Sequence, residues 1–133
     1  MTHLPFVVLE IEADDLQRAS DFYTCMFGWK FGASAAEPGA LETEMTGDHD
    51  TRVRVHLRKR SPDAAAPARR EDVLRTSGHS LCVHDLGSVL GRVLEAGGEV
   101  IAGPIEVQGL GRRLYVRDTE GNAFAVLEPI HFR

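Results

Sequence analysis

Cysteine is scarce in this chain. Cys25 and Cys82 are the two among 133 residues, and neither has a partner at CxxC spacing. That number is too small for a disulfide framework. Long apolar runs are missing as well, none approaching the roughly 18 residues of a membrane span. Basic charge is in deficit, with 15 Lys and Arg against 20 Asp and Glu and a net charge of −5. Nonspecific binding to nucleic acid needs a basic surface, so that class of partner is not expected. The start, "MTHLPF", lacks the basic region and apolar stretch of a signal peptide. These absences point to a reduced, cytoplasmic protein with no membrane or nucleic-acid partner.

What is present is ordinary globular material, 43% hydrophobic and 26% charged. A chain of this length buries about two thirds of its unfolded surface, enough for one domain. "FVVLEI" at 6–11 is rich in β-branched and aromatic residues and predicts a strand. In the next segment Leu16, Ala19, Phe22, Tyr23, Met26 and Phe27 recur at helical spacing, with Asp14 or Asp15 as N-cap and Gly28 as terminator. "WKFGAS", "ALETEM" and "TRVRVHL" predict three more strands. The last of these alternates, with Val53, Val55 and Leu57 on one face and Arg54, His56 and Arg58 on the other.

Residues 60–77 are rich in Pro, Ala and Arg without a sustained period, and predict a linker with a short helical turn at "REDVLR". The same order then begins again. "GHSLCV" predicts a strand, "HDLGSVLGRVLEAGG" an Asp-capped helix, and "EVIAGPIEVQG", "RRLYVRD" and "NAFAVLE" three strands. The chain is thus one βαβββ unit written twice, with module one at 4–59 and module two at 78–130. The expected class is α+β, an eight-stranded curled mixed sheet with a helix on the outer face of each module and a shared cleft as the ligand site.

With "EADDLQRASDFYTCMFGWKF", "GHSLCVHDL", "VLEAGGEV" and "VRDTEGNAFAVLEP" on the page, the sequence resembles the vicinal oxygen chelate superfamily of glyoxalases, bleomycin-resistance proteins and extradiol dioxygenases. The resemblance covers nearly all of the chain outside the linker. It implies a metal-ligand position on the first and last strand of each module, here Val8, His56, His79 and Ala125. Val8 and Ala125 carry no donor atom. His56 and His79 are therefore the weak candidates for a metal site, short of the three protein ligands usual for an enzyme metal. Glu128 does not replace Ala125, because three residues along a strand reverses the face.

Alternation assigns to the cleft face Val8, Glu10, Glu12, Arg54, His56, Arg58, His79, Leu81, Arg113, Tyr115, Arg117, Ala123, Ala125 and Leu127, and puts Cys82 in the core. The candidates for ligand binding are Glu10, Arg54, His56, His79, Arg113 and Tyr115, a set able to hold a carboxylate or phosphate. Glu10 and His79 form an acid–base couple if the first strands of the two modules pair. No residue is assigned as catalytic. The function expected is metal-free binding of a small organic ligand, as in antibiotic or metabolite sequestration, with no cofactor, by a homodimer. The alternative is a metal-dependent lyase, isomerase or dioxygenase using His56 and His79 with an atypical ligand set.

Overall fold

A computed structural model describes residues 6–46, 52–62 and 80–130. The chain divides into two compact units, residues up to 64 and residues from 65 onward. The first contains β1 (Phe6–Ala13), α1 (Leu16–Phe27), β2 (Gly32–Ala33), β3 (Leu41–Thr46) and β4 (Arg52–Lys59). The second contains β5 (Ser80–Cys82), α2 (Leu86–Glu95), β6 (Glu99–Val107), β7 (Gly111–Arg117) and β8 (Ala123–Pro129). Each unit is a four-stranded mixed sheet, in the orders β1-β4-β3-β2 and β5-β8-β7-β6. The doubled βαβββ order and the α+β class are those the sequence predicts. The proposed helical turn at "REDVLR", most of the linker and the start of module two fall outside the described residues.

Both helices start and stop for local reasons. Asp15 accepts the backbone N–H of Arg18 at 3.0 Å, and Gly28 ends α1 in the left-handed region at φ 74°. Asp85 accepts from Gly87 N at 3.0 Å and from the Ser88 hydroxyl at 2.8 Å, setting the start of α2. The buried stripe of α1 is Ala19, Phe22, Tyr23 and Met26, and that of α2 is Leu86, Val89 and Val93. Under these stripes lie the fully buried Val55 and Leu57 in one sheet and Leu114, Val116 and Val126 in the other. Beyond Gly28, Trp29 stacks on Tyr23 with ring centroids 5.7 Å apart and tilts against Phe27 at 4.9 Å. The "FYTCMFGW" stretch thus folds back on its own helix.

Module two is held at its edge by Glu128. It is buried on the helix-covered face, accepts the N–H of Leu86 at 2.9 Å and pairs with Arg112 at 2.8 Å. An acid there meets the positive end of the α2 dipole as well as a guanidinium. The Glu128 carboxylate also raises the Arg112 pKa, first through their hydrogen bond. The turn "DTEGN" closes on Asp118, whose Oδ1 accepts from Glu120 N at 2.8 Å and Asn122 N at 2.9 Å. No described helix is long and apolar enough to cross a membrane.

One sequence expectation is overturned. Ser80 lies in register with Ala125, Leu81 with Val126 and Cys82 with Leu127. Partners in a ladder share a face, so Ser80 and Cys82 belong with Ala125, and Leu81 belongs with buried Val126. Cys82 is exposed rather than a core residue. The strand is only three residues long, and its alternating pattern alone does not fix the phase.

Gly109, in the turn after β6, and Gly111, the first residue of β7, have φ of 78° and 150°. A Cβ on Gly111 would meet the Glu128 carbonyl oxygen at 2.1 Å, whereas one on Gly109 meets nothing within 4 Å. Gly111→Ala is expected to cost about 3 kcal/mol or more by denaturant unfolding, from backbone collision added to conformational strain. Gly109→Ala carries the strain alone and should cost about 1–2 kcal/mol. Equal losses would show that the collision is relieved elsewhere.

Candidate functional site

The helix-free face of module one is built by register. Glu10 on β1 and Glu42 on β3 flank His56 on β4, and Val8 and Glu44 flank Arg54. Arg54 Nε stands 3.3 Å from Glu42 Oε2, and Arg54 Nη2 stands 3.3 Å from Glu44 Oε2. Arg52 also pairs with Glu44. The sequence reading gave this face Glu10 and Glu12 against Arg54 and Arg58, and left out β3. With Glu42, Glu44 and Glu37 added to Glu10 and Glu12, carboxylates outnumber the guanidiniums of Arg52, Arg54 and Arg58.

Glu37 reaches this face from the loop between β2 and β3. The loop is closed by Ser34 N–H donating to Ala40 O at 2.9 Å, while the Ser34 hydroxyl accepts from Glu37 N at 3.1 Å. Glu37 Oε1 accepts from Arg58 Nη2 at 2.8 Å and lies 3.6 Å from His56 Nε2. The second separation is too long for a hydrogen bond. His56 is 9% exposed, and among the described residues its buried Nε2 has no hydrogen-bond partner, nor has Arg58 Nε. Glu10 is exposed beside this group. Sequence reading missed Glu37, since a loop residue has no alternation to place it.

On module two the corresponding face carries Arg113, Tyr115 and Arg117, in register with Leu127, Ala125 and Ala123. Arg113 Nη1 donates to the Tyr115 hydroxyl at 3.3 Å, and its guanidinium lies 6.0 Å from the Tyr115 ring centroid. That distance is at the limit of a cation–π contact. Among the described residues no carboxylate pairs with Arg113, and its Nε is buried without a partner. Arg117 is engaged with the Gly121 carbonyl at 2.9 Å. His79 lies outside the described residues, and with it the expected Glu10–His79 couple.

The resemblance raises a metal, so the donors present matter. Val8 is exposed and Ala125 buried, and neither side chain has a lone pair to give. Among the described residues no three His, Cys, Asp or Glu side chains converge in a metal-holding group. His56 Nε2 lies 3.6 Å from Glu37 Oε1, which also pairs with Arg58, and a guanidinium near a bound cation is repulsive. Among the described residues, Val8, His56 and Ala125 do not supply the donors a divalent metal needs.

Comparison with known proteins gives a consistent picture. The family model described as Glyoxalase/Bleomycin resistance protein/Dioxygenase superfamily matches residues 6–126. The anthracycline biosynthesis proteins DauV of Streptomyces sp. (strain C5) and DnrV of Streptomyces peucetius are each 30% identical over 125 residues, 88% of this chain and 44% of theirs. The chain therefore spans less than half the length of these relatives. Among solved structures, TnmS3, an antibiotic binding protein from Streptomyces sp. CB03234, superposes with a TM-score of 0.63. It is 22% identical, with 97% of each chain covered. That likeness is one of fold.

The loop and the sheet face are coupled through Glu42. A hydrogen bond from the Ser34 side chain holds the Glu42 carboxyl below the ordinary glutamate range, with the Arg54 charge and an Ala35 backbone hydrogen bond adding to it against a desolvation cost. A lowered folded pKa contributes stability above the unfolded value of about 4.3, and loses it as pH falls through the folded value. Carboxyl NMR titration should find Glu42 deprotonating below that value, and Ser34→Ala should move its midpoint upward. An unmoved midpoint would mean that Arg54 dominates.

Proposed function

Since the chain belongs to the glyoxalase/bleomycin resistance protein/dioxygenase superfamily, we propose that it binds a small organic molecule and sequesters it without a bound metal and without turning it over. The observation that carries this reading is Ala125. A methyl group stands where the family's metal chemistry uses a carboxylate, in register with Tyr115. What surrounds it suits recognition. Tyr115 offers a ring face and a hydroxyl, and Arg113 beside it is a guanidinium with no carboxylate partner among the described residues. An aromatic body with an anionic group matches that pair, because a ring stacks on the phenol and guanidinium binds carboxylates in a two-pronged way.

The likeness to an antibiotic binding protein and to two anthracycline biosynthesis proteins supports an antibiotic, or a molecule on the way to one, as the ligand. The binding residues are then Glu10, Arg54, His56, His79, Arg113 and Tyr115. The setting is the cytoplasm. A homodimer is part of the same reading, because each helix covers one face of its sheet and pairing is the commonest way to cover another. Light scattering at micromolar concentration should give twice the chain mass, and a monomer would remove this part.

A second reading draws on the buried, unpartnered His56 and on the biosynthetic relatives. It is a metal-dependent lyase, isomerase or dioxygenase that uses His56 and His79. One set of measurements separates the two. On the binding reading, purified protein holds well under one equivalent of Zn, Ni, Mn or Fe by elemental analysis. Aromatic antibiotics raise its melting temperature, and mass spectrometry finds them unchanged afterwards. His56→Ala and His79→Ala should each weaken binding several-fold, the worth of one lost hydrogen bond of about 1 kcal/mol. Stoichiometric metal, with product formation falling by about 100-fold or more in either variant, would establish the enzyme instead.

A further inference from the structure

We infer that Arg58 and His56 form a subsite for the carboxylate of an acidic organic ligand, and that Glu37 lodges there as the chain's own stand-in until such a ligand displaces it. This rests on the small-molecule-binding reading above and adds the chemistry of one ligand group.

The pair already holds a carboxylate, but badly. Glu37 Oε1 satisfies Arg58 Nη2 at 2.8 Å and stops 3.6 Å short of His56 Nε2. Two buried nitrogens beside it, His56 Nε2 and Arg58 Nε, have no hydrogen-bond partner among the described residues. Buried polar atoms are seldom left so in a finished site. A carboxylate not tethered to a loop can lie flat against the guanidinium, taking Nε and Nη2 together and the imidazole with its free lone pairs. Glu37 is attached to the 34–40 loop and supplies one oxygen to one nitrogen.

The other cations of this face are differently placed. Arg54 Nε also makes no hydrogen bond among the described residues, but Arg52 and Arg54 stand in ion pairs with Glu44 and Glu42 from β3, a strand fixed by the ladder, so their charges are committed. The Arg58 partner comes from a loop whose closing hydrogen bonds, through Ser34, Ala40 and the Glu37 backbone, do not involve the Glu37 side chain. That side chain is 42% exposed, and the Arg58 side chain is 39% exposed. An ion pair this open is weak and readily exchanged. Glu37 can swing into water while the loop keeps its shape. Glu10, exposed and in register with His56, opposes a second negative charge nearby. The group recognised is therefore a monocarboxylate rather than a dianion.

The test uses benzoate as probe and benzamide as its neutral counterpart, titrated into the 133-residue protein labelled with nitrogen-15. Benzoate should shift the His56 ring nitrogens, and benzamide should not. Glu37→Gln removes the competitor and should tighten benzoate roughly fivefold. Arg58→Gln should weaken it about tenfold. Unchanged or weaker benzoate binding in Glu37→Gln, or a silent His56, would overturn the subsite. The two readings fail separately. Antibiotic-sized aromatics that bind equally well to wild type and Glu37→Gln would leave the binding function standing and remove the subsite. Benzoate behaving as expected, with no larger aromatic bound, would do the reverse.

Discussion

The parallel pairing of each module's first strand with its last governs what this protein can present. β1 lies along β4 with Glu10 beside His56, and β5 lies along β8 with Ser80 beside Ala125. A parallel neighbour cannot be reached by a tight turn, so the chain leaves the first strand through the helix to the far edge of the sheet and returns strand by strand to the last. The helix is then committed to one sheet face, where its apolar stripe is buried. Polar residues collect on the other face because that is the only place alternation leaves them. Site chemistry in either module thus follows from burying α1 and α2.

The two modules use this plan differently. Module one fills its open face with charge, paired across strands until Arg52 and Arg54 are spoken for and Glu10 is left over. Module two keeps small and apolar residues there, Ala123, Ala125 and Leu127, crossed by Arg113, Tyr115 and Arg117. The buried acid on β8, Glu128, faces the other way and is occupied by α2 and Arg112. A carboxylate in a strand is not interchangeable with one a few residues off, and the position of Ala125 shows why.

Features of the fold that depend on near neighbours were legible in the sequence. The Asp15 and Asp85 caps, the Gly28 stop, the alternation along β4 and the reversed face of Glu128 all follow from steps of one to four residues. What depends on pairing was not. The phase of β5 required its register against β8, and three residues carry too little pattern to reveal it, so Leu81 and Cys82 exchanged faces. The carboxylates of β3 were visible as residues, yet their place opposite Arg54 and His56 comes from a ladder joining distant segments. Glu37 belongs to a loop and had no periodic signal at all. Of the candidate site, then, the β4 and β7 residues could be read and their partners could not.

The loop at 34–40 has a further consequence. Its shape is held by Ser34 and by backbone groups, so the residue at position 37 is chosen by what it meets across the sheet and hardly at all by what the loop needs. Folding places few demands on that codon. A lineage could exchange its glutamate for an amide, an alcohol or a cation and keep the scaffold intact, altering which molecules are admitted in a single step. Ligand preference in such a protein can drift faster than its architecture, and similarity of fold across the superfamily need not track similarity of cargo.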